Sequence, residues 1–313
     1  MTKAAELAKM GEVLTNSNKG RTNLIINGDM AINQRGATSG VTSGYFVDRF
    51  TLSGCSASAV ITSNTPTEFP TAITVSATSG NPIITQKIES KNVQHLSGKV
   101  VTASFFAKNV SNATTLYASL QYAGSADNWG SSTTIAERNL GSLSSDWVRY
   151  TASWTVPSGG LNGLQLNILC AGSSTFTMGV TGVMLQEGSV STPFEHRSFG
   201  EELALCRRYY HSDKPADVST SFASGHNYNS TIGIFHKEFT VPMRAAPTVS
   251  VSDVSHFAKD GGARSDAITA ISTDGFGNYG GTIRGNSSTS TASAGSTLSV
   301  GDVAAELKFD AEL

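Results

Sequence analysis

Apolar and polar residues alternate at every second position over long stretches of this chain. Val101, Ala103, Phe105 and Ala107 share one face of KVVTASFFAK, and Leu116, Ala118, Leu120 and Tyr122 share one face of TTLYASLQYA. Val148, Tyr150, Ala152, Trp154 and Val156 repeat the pattern, as do Leu164, Leu166, Ile168 and Cys170. A period of two with one apolar face predicts strands that are wet on one side. Such runs, bounded by Gly, Ser, Asn and Pro, predict two antiparallel sheets packed together, and a jelly roll, which closes off its edges, suits them best. NLIINGDM, from Asn23, is expected to be an early strand closed by an Asn-Gly turn.

Two segments follow a helical period instead. Leu7, Met10 and Leu14 recur at spacings of three and four, an a/d seam of under two heptads. A helix that short is marginal alone in water. It either packs on its own domain or, as TNSNKGR reading as a linker favours, with copies of itself in a homotrimer or on a neighbouring subunit. The second helix follows Thr192-Pro193, which ends a strand because proline cannot donate to a ladder. Ser198 and Glu201 form a capping box. Phe199, Leu203, Cys206 and Tyr210 then line one face, and Arg207 and Arg208 complement the dipole at its end. Beyond it, TIGIFHKEFTV, PTVSVSDV, DAITAIST, NYGGTIRG and VAAELKFDAEL predict a second, smaller β domain, with GNSSTSTASAGSTLSVG as a surface loop. The expected fold is therefore mainly β. Residues 1–22 form an attachment or oligomerisation helix with its linker, 23–195 a jelly-roll β-sandwich, 196–212 a linker helix and 213–313 a C-terminal β domain.

Composition sharpens this. Of 313 residues only 15% are charged, and the net charge of −2 is too balanced for wrapping nucleic acid or for attraction to anionic lipid. Gly is abundant at 31 and Pro sparse at 8, a turn-rich β surface of the kind found outside cells or in rigid assemblies. Cys55, Cys170 and Cys206 share no short spacing, which argues against a zinc site or a disulfide framework and predicts three buried free thiols. The sequence contains no apolar run of membrane-spanning length and no secretory leader pattern, so membrane insertion is not expected and export would occur by lysis.

The order of landmarks NLIINGDMAINQRG, YFVDRF, alternating strands and GVMLQEGSVSTPFEHRSFGEELALCRRYY resembles a module of bacteriophage virion proteins of the tail-fibre kind. In that module a jelly roll similar to carbohydrate-binding modules precedes a helix and a small β domain. TPFEHRSFGEELALCRRYY is the most specific part. The resemblance implies a homotrimeric virion component, assembled in the host cytoplasm and released by lysis, which attaches to other virion proteins through Leu7, Met10 and Leu14 and contacts the host surface. It also implies a rigid inter-domain helix that packs through Phe194, Phe199, Leu203, Cys206 and Tyr210, with Phe194 anchoring its entry. A capsid decoration or head-fibre protein, a glycan-binding module and a depolymerase are the alternatives.

No catalytic residues are expected. Glu187, Glu195, Glu201 and Glu202 cluster around His196, but capping and surface positions account for them better than a glycan-cleaving carboxylate pair does. Neither a nucleophile elbow nor an H-E-x-x-H motif is present. Asp48 and Arg49 read as a structural pair at the sandwich edge. Sugar sites stack aromatic rings on pyranose faces beside amides and carboxylates. SADNWG offers Trp129, Asp127 and Asn128 for such contact, while Trp147 and Tyr117 face away from the inferred core. No metal or other cofactor is expected: Asn27 and Asp29 suit a calcium site of this fold, but Gly182 stands where an acidic ligand would be needed.

Overall fold

The computed structural model describes residues 23–313 apart from 79, 219, 262 and 289–293. The helix expected at the N-terminus, with Leu7, Met10 and Leu14, lies outside the described residues. The chain divides into two compact units, Met1–Glu202 with Leu313, and Leu203–Glu312.

The first unit contains β1 (Gly44–Tyr45), β2 (Thr51–Ser53), β3 (Ala57–Ile61), β4 (Ala72–Ala77), β5 (Ile83–Ile88), the short helix α1 (Ser90–Val93), β6 (Val100–Ser125), β7 (Asn128–Ser142), β8 (Val148–Thr155) and β9 (Leu164–Glu187). β6 and β9 are long enough to serve two layers. The C-terminal half of β6 pairs with the N-terminal half of β9 and with β7, and that half of β9 also pairs with β5, which continues to β2 and β1. The N-terminal half of β6 pairs with the C-terminal half of β9 and with β8, and β9 there continues to β4 and β3. We refer to these as the first and second sheets. β6 passes from one to the other through register shifts between Asn109 and Thr115, where Asn112 takes a positive φ of 51°. A bulge bends the strand and so lets one strand build two layers. The result is a jelly-roll sandwich.

The core is the one the alternation predicts. Val101, Ala103, Phe105 and Ala107 of the second sheet face Leu116, Ala118, Leu120, Leu164, Leu166, Ile168 and Cys170 of the first, all buried. Trp154, 1% exposed, donates its indole N–H to Ala136 O at 2.9 Å, and Val148, at the strand's start, is exposed. Cys170 and Cys206 are buried, whereas Cys55 is half-exposed at the turn before β3, where its thiol donates to Ser53 O. Burial pushes the Cys170 thiol up to about 12 and the Cys55 thiol up to about 11, so neither is a thiolate at neutral pH.

NLIIN is not a strand. It runs beside β9, with Leu24 N donating to Leu185 O and Val183 N to Gly28 O, but side chains make most of its main-chain bonds. Gln86 bonds both N and O of Ile26 at 2.8 Å. Glu195 accepts from Asn23 N, Glu202 accepts from Asn27 N, and Arg197 donates to Asn23 O and Ile25 O. TPFEHR is therefore a clamp that stands in for a strand partner. Arg197, its side chain 5% exposed, also pairs with Glu202 at 3.2 Å and Glu195 at 3.4 Å. Asp48 is likewise taken up internally: its carboxylate accepts from Gln34 N and Nε2, and burial pushes its pKa up against those bonds. Arg49 donates to Lys87 O.

Helix α2 (Phe199–Arg207) begins where Ser198 Oγ accepts from Glu201 N at 3.4 Å, and its last residues belong to the second unit. Phe199, in the first turn, is 66% exposed and Leu203 half-buried, while Cys206 is fully buried. Tyr210 is not on the helix. The chain turns after Arg207, and Tyr210 opens β10 as the partner of Asp310.

The second unit contains β10 (Tyr210–Asp213), β11 (Ser221–Asn227), β12 (Ile232–Glu238), β13 (Thr248–Val251), β14 (Phe257–Gly261), β15 (Ala263–Gly277), β16 (Gly280–Ser287), β17 (Gly295–Val300) and β18 (Leu307–Asp310). β10, β18 and β13 form a three-stranded sheet, and β11-β12-β16-β15-β14-β17 close into a barrel. Closure leaves the barrel no free edge. The serine-rich stretch expected to be a loop supplies β17, because Ser296, Leu298 and Val300 alternate inward.

Candidate functional site

The two outer faces of the sandwich differ. That of the second sheet is covered by its own chain. Phe69 packs against Phe106 and Phe194 at centroid distances of 5.4 and 4.9 Å, and His196 adds a fourth ring. Gly182, at φ +61°, leaves the room Phe69 occupies, since a Cβ there would stand 2.6 Å from Phe69 Cζ. Trp147 lies over Gly179 and donates its indole N–H to Asn64 O at 2.7 Å, so its ring is committed to packing.

The outer face of the first sheet carries polar residues in rows instead. One row runs Thr85, Asn167, Ser119 and Glu137 across β5, β9, β6 and β7; the next runs Lys87, Gln165 and Gln121; and at the other end stand Ile83, Leu169, Tyr117 and Asn139. Asn167 and Ser119, 4% and 3% exposed, make the floor. Asn167 Oδ1 accepts from Thr85 Oγ1 at 2.8 Å and Gln165 Nε2 at 2.9 Å, and its Nδ2 donates to Ser119 Oγ at 3.1 Å. Gln165 Nε2 also reaches Gln121 Oε1 at 3.3 Å, where Ser132 Oγ donates as well. These bonds lock the two glutamine amides but use only one end of each. Among the described residues, Gln165 Oε1 and Gln121 Nε2 take no partner. One acceptor and one donor are thus held ready on a rigid floor.

Aromatic rings bound this floor. Tyr117 lies one end of the face, half-buried. At the other end Trp129 is half-buried, with Lys87 Nζ 5.3 Å from its ring centre, and its buried indole N–H takes no hydrogen bond among the described residues. Lys87 Nζ is itself held by Leu313 O at 2.8 Å, which also accepts from Tyr45 OH, and partial burial lowers its pKa. From the Tyr117 row to the Gln121 row the face spans about 13 Å at the rise of a strand.

Of the residues the sequence singles out for contact, the fold brings Trp129 to this face. Asp127 and Asn128 have local work. Asp127, at a positive φ of 55° in the β6–β7 turn, accepts from Ser90 N at 2.7 Å and Ser90 Oγ at 3.0 Å at the start of α1. Asn128 accepts from Gly130 N within the same hairpin. The sequence reading misses Asn167, Gln165, Gln121 and Thr85. The signal for them was present: each sits on the polar phase of an alternating strand, and amides recur there. Which strands lie side by side, and in what register, is what periodicity does not give.

Of the four carboxylates around His196, two serve the clamp, whereas Glu187 pairs with His95 and Lys99. Glu195 and Glu202 accept main-chain N–H groups and pair with Arg197. Asn27, whose side chain holds Ile32 N and O and Asp48 O, is fully used in a turn. Among the described residues no group of three or more His, Cys, Asp or Glu could hold a metal ion.

No family model matches the chain, and no curated protein matches it. Among solved structures it is similar to the enzymatically active domain of tailspike protein 4 of bacteriophage CBA120, at 18% identity and a TM-score of 0.36, over 53% of this chain and 22% of that one. It is also similar to TmCBM61 in complex with β-1,4-galactotriose, at 12% identity and 0.36, over 54% of this chain and all of that one. A xylan-binding domain of carbohydrate-binding family 22 aligns at 14% identity and 0.37, over 55% of this chain and 99% of that one.

Proposed function

We infer that the first unit binds a hydroxyl-rich glycan on the outer face of its first sheet. The observation that carries this is the pair of locked amides, Gln121 and Gln165, each with one uncommitted polar end, on a floor bounded by Tyr117 and Trp129. Sugars offer hydroxyls that donate and accept side by side, together with apolar ring faces that stack on aromatics. A floor fixed beforehand loses little side-chain entropy on binding. The commitment of Glu195 and Glu202 to main-chain bonds supports a non-catalytic reading over a depolymerase. An array of neutral and acidic oligosaccharides, probed with the full chain and with Gln121→Ala/Gln165→Ala, tests the inference. Retained binding by the double variant to every sugar that the parent binds would refute it.

The resemblance carried by TPFEHRSFGEELALCRRYY supports placing this glycan reader on a phage particle, as a trimeric tail fibre or fibre-like component. Trimerisation would multiply weak single contacts into avidity. Capsid decoration is the alternative on the same particle. Labelled antibody on intact particles separates the two: a few sites at the tail support the fibre, and copies following capsid symmetry support decoration.

A further inference from the structure

The barrel of the second unit encloses a side chain that its walls do not answer. Lys259, on β14, is 1% exposed, and its buried Nζ has no hydrogen-bond partner among the described residues. Burial there disfavours an ammonium. Burial holds its pKa below the usual lysine range, with the charge of Asp266 pulling the other way. The neutral amine, which this favours, is a nucleophile.

The strand registers bring two groups to it. Asn227, fully buried at the end of β11, is the cross-strand partner of Gly233 on β12. A Cβ added to Gly233 would stand 3.0 Å from Lys259 Cδ, so the lysine arm crosses the barrel interior to this point, and Gly233 gives it room. Cross-strand partners hold their Cβ positions about 5 Å apart. The arm is thus directed at the strand position that faces Asn227, whose Oδ1 is buried like Lys259 Nζ. Asp266, on β15, is the register partner of Lys259. Phe235, Phe257 and Ile268, all buried, wall the same interior and keep bulk water out.

We propose that Lys259 and Asn227 condense into an intramolecular amide that ties β14 to β11 across the barrel. Lys259 Nζ attacks Asn227 Cγ, and Asp266 takes a proton from the nitrogen as the new C–N bond forms. The tetrahedral centre then collapses, the Cγ–Nδ2 bond breaks, and Asp266 returns the proton to the departing nitrogen, which leaves as ammonia. No electrons change hands and no co-reactant is consumed. The cross-link removes the buried amine and fastens two strands that are separated in the barrel by β17.

Mass spectrometry of the full chain, purified folded and then denatured, tests this. The expected mass is one ammonia below that of the sequence, and proteolysis should give a branched peptide joining the Lys259 and Asn227 segments. Lys259→Met and Asn227→Ala should lack both features. Asn227→Asp should recover the branched peptide, now by loss of one water. Asp266→Asn should leave folded protein largely without it. A parent chain of full sequence mass with no branched peptide would overturn the proposal whether or not any variant folds. So would an ammonia loss that survives Lys259→Met.

Discussion

The two outer faces of the sandwich have the same strand chemistry beneath them and opposite fates. Over the second sheet the chain lays Phe69, Phe194 and Trp147, and Arg149 ties the cover down through Thr192 O and Ser104 Oγ. Over the first sheet, the floor of Asn167, Ser119, Gln121 and Gln165 carries no such aromatic cover among the described residues. A face that only needs stability can be closed with rings and glycines. Polar residues held in register by one another, with bonding capacity left over, are an inefficient way to stabilise a sheet and a good way to read a ligand. The difference is what supports our proposal of a binding face on the first sheet and a scaffold on the second.

The largest effect should come from breaking the clamp. Arg197→Met removes the cation that satisfies Asn23 O and Ile25 O and pairs with Glu195 and Glu202. Losing one partner of a buried charged network costs about 3–5 kcal/mol. Denaturant melts should show that loss, while the protein that remains folded binds sugar as before. Gln121→Ala and Gln165→Ala should do the reverse, each weakening binding about tenfold with an unchanged melting midpoint. Thr151→Ala, on the outer face of the second sheet, should change neither. In the second unit, Asp213 is bonded to His211 at 2.7 Å and to Lys237, and these partners outweigh burial to hold its pKa below the usual aspartate value. A carboxyl with a lowered folded pKa adds stability that is complete above its unfolded pKa and is lost as pH falls through the folded one. Thermal melts should therefore weaken below pH about 4, and less steeply in Lys237→Met. Outside the described residues, Leu7→Asp with Met10→Asp should abolish the proposed attachment or trimer formation, read as incorporation into particles and as mass in solution.

Much of the fold was legible in residue order, because burial imposes a period of two. Leu164, Leu166, Ile168 and Cys170 face the core as their spacing requires. What periodicity could not convey was pairing at a distance. It did not show that β6 and β9 each span both sheets, because the bulge near Asn112 hides in a polar run. Nor did it show that NLIIN is held by Glu195, Arg197 and Glu202, since charged residues near a helix read naturally as caps and surface. For the face itself, Trp129 stood out as an aromatic in a polar loop, and its neighbours Asp127 and Asn128 looked equally available. Their oxygens serve Ser90 and Gly130 instead. Asn167 showed only its polar phase, because its meaning depends also on Thr85 and Ser119, which are far from it in sequence and adjacent only once the sheet forms.

The most direct test is a calorimetric titration of the full chain with the strongest oligosaccharide from the array, repeated on Trp129→Ala and on Gln121→Ala/Gln165→Ala. We expect saturable binding by the parent, at least a tenfold loss in each variant, and unaltered melting of both. Binding that persists undiminished in both variants, or that instead follows changes around Trp147, would contradict the assignment of function to the first sheet.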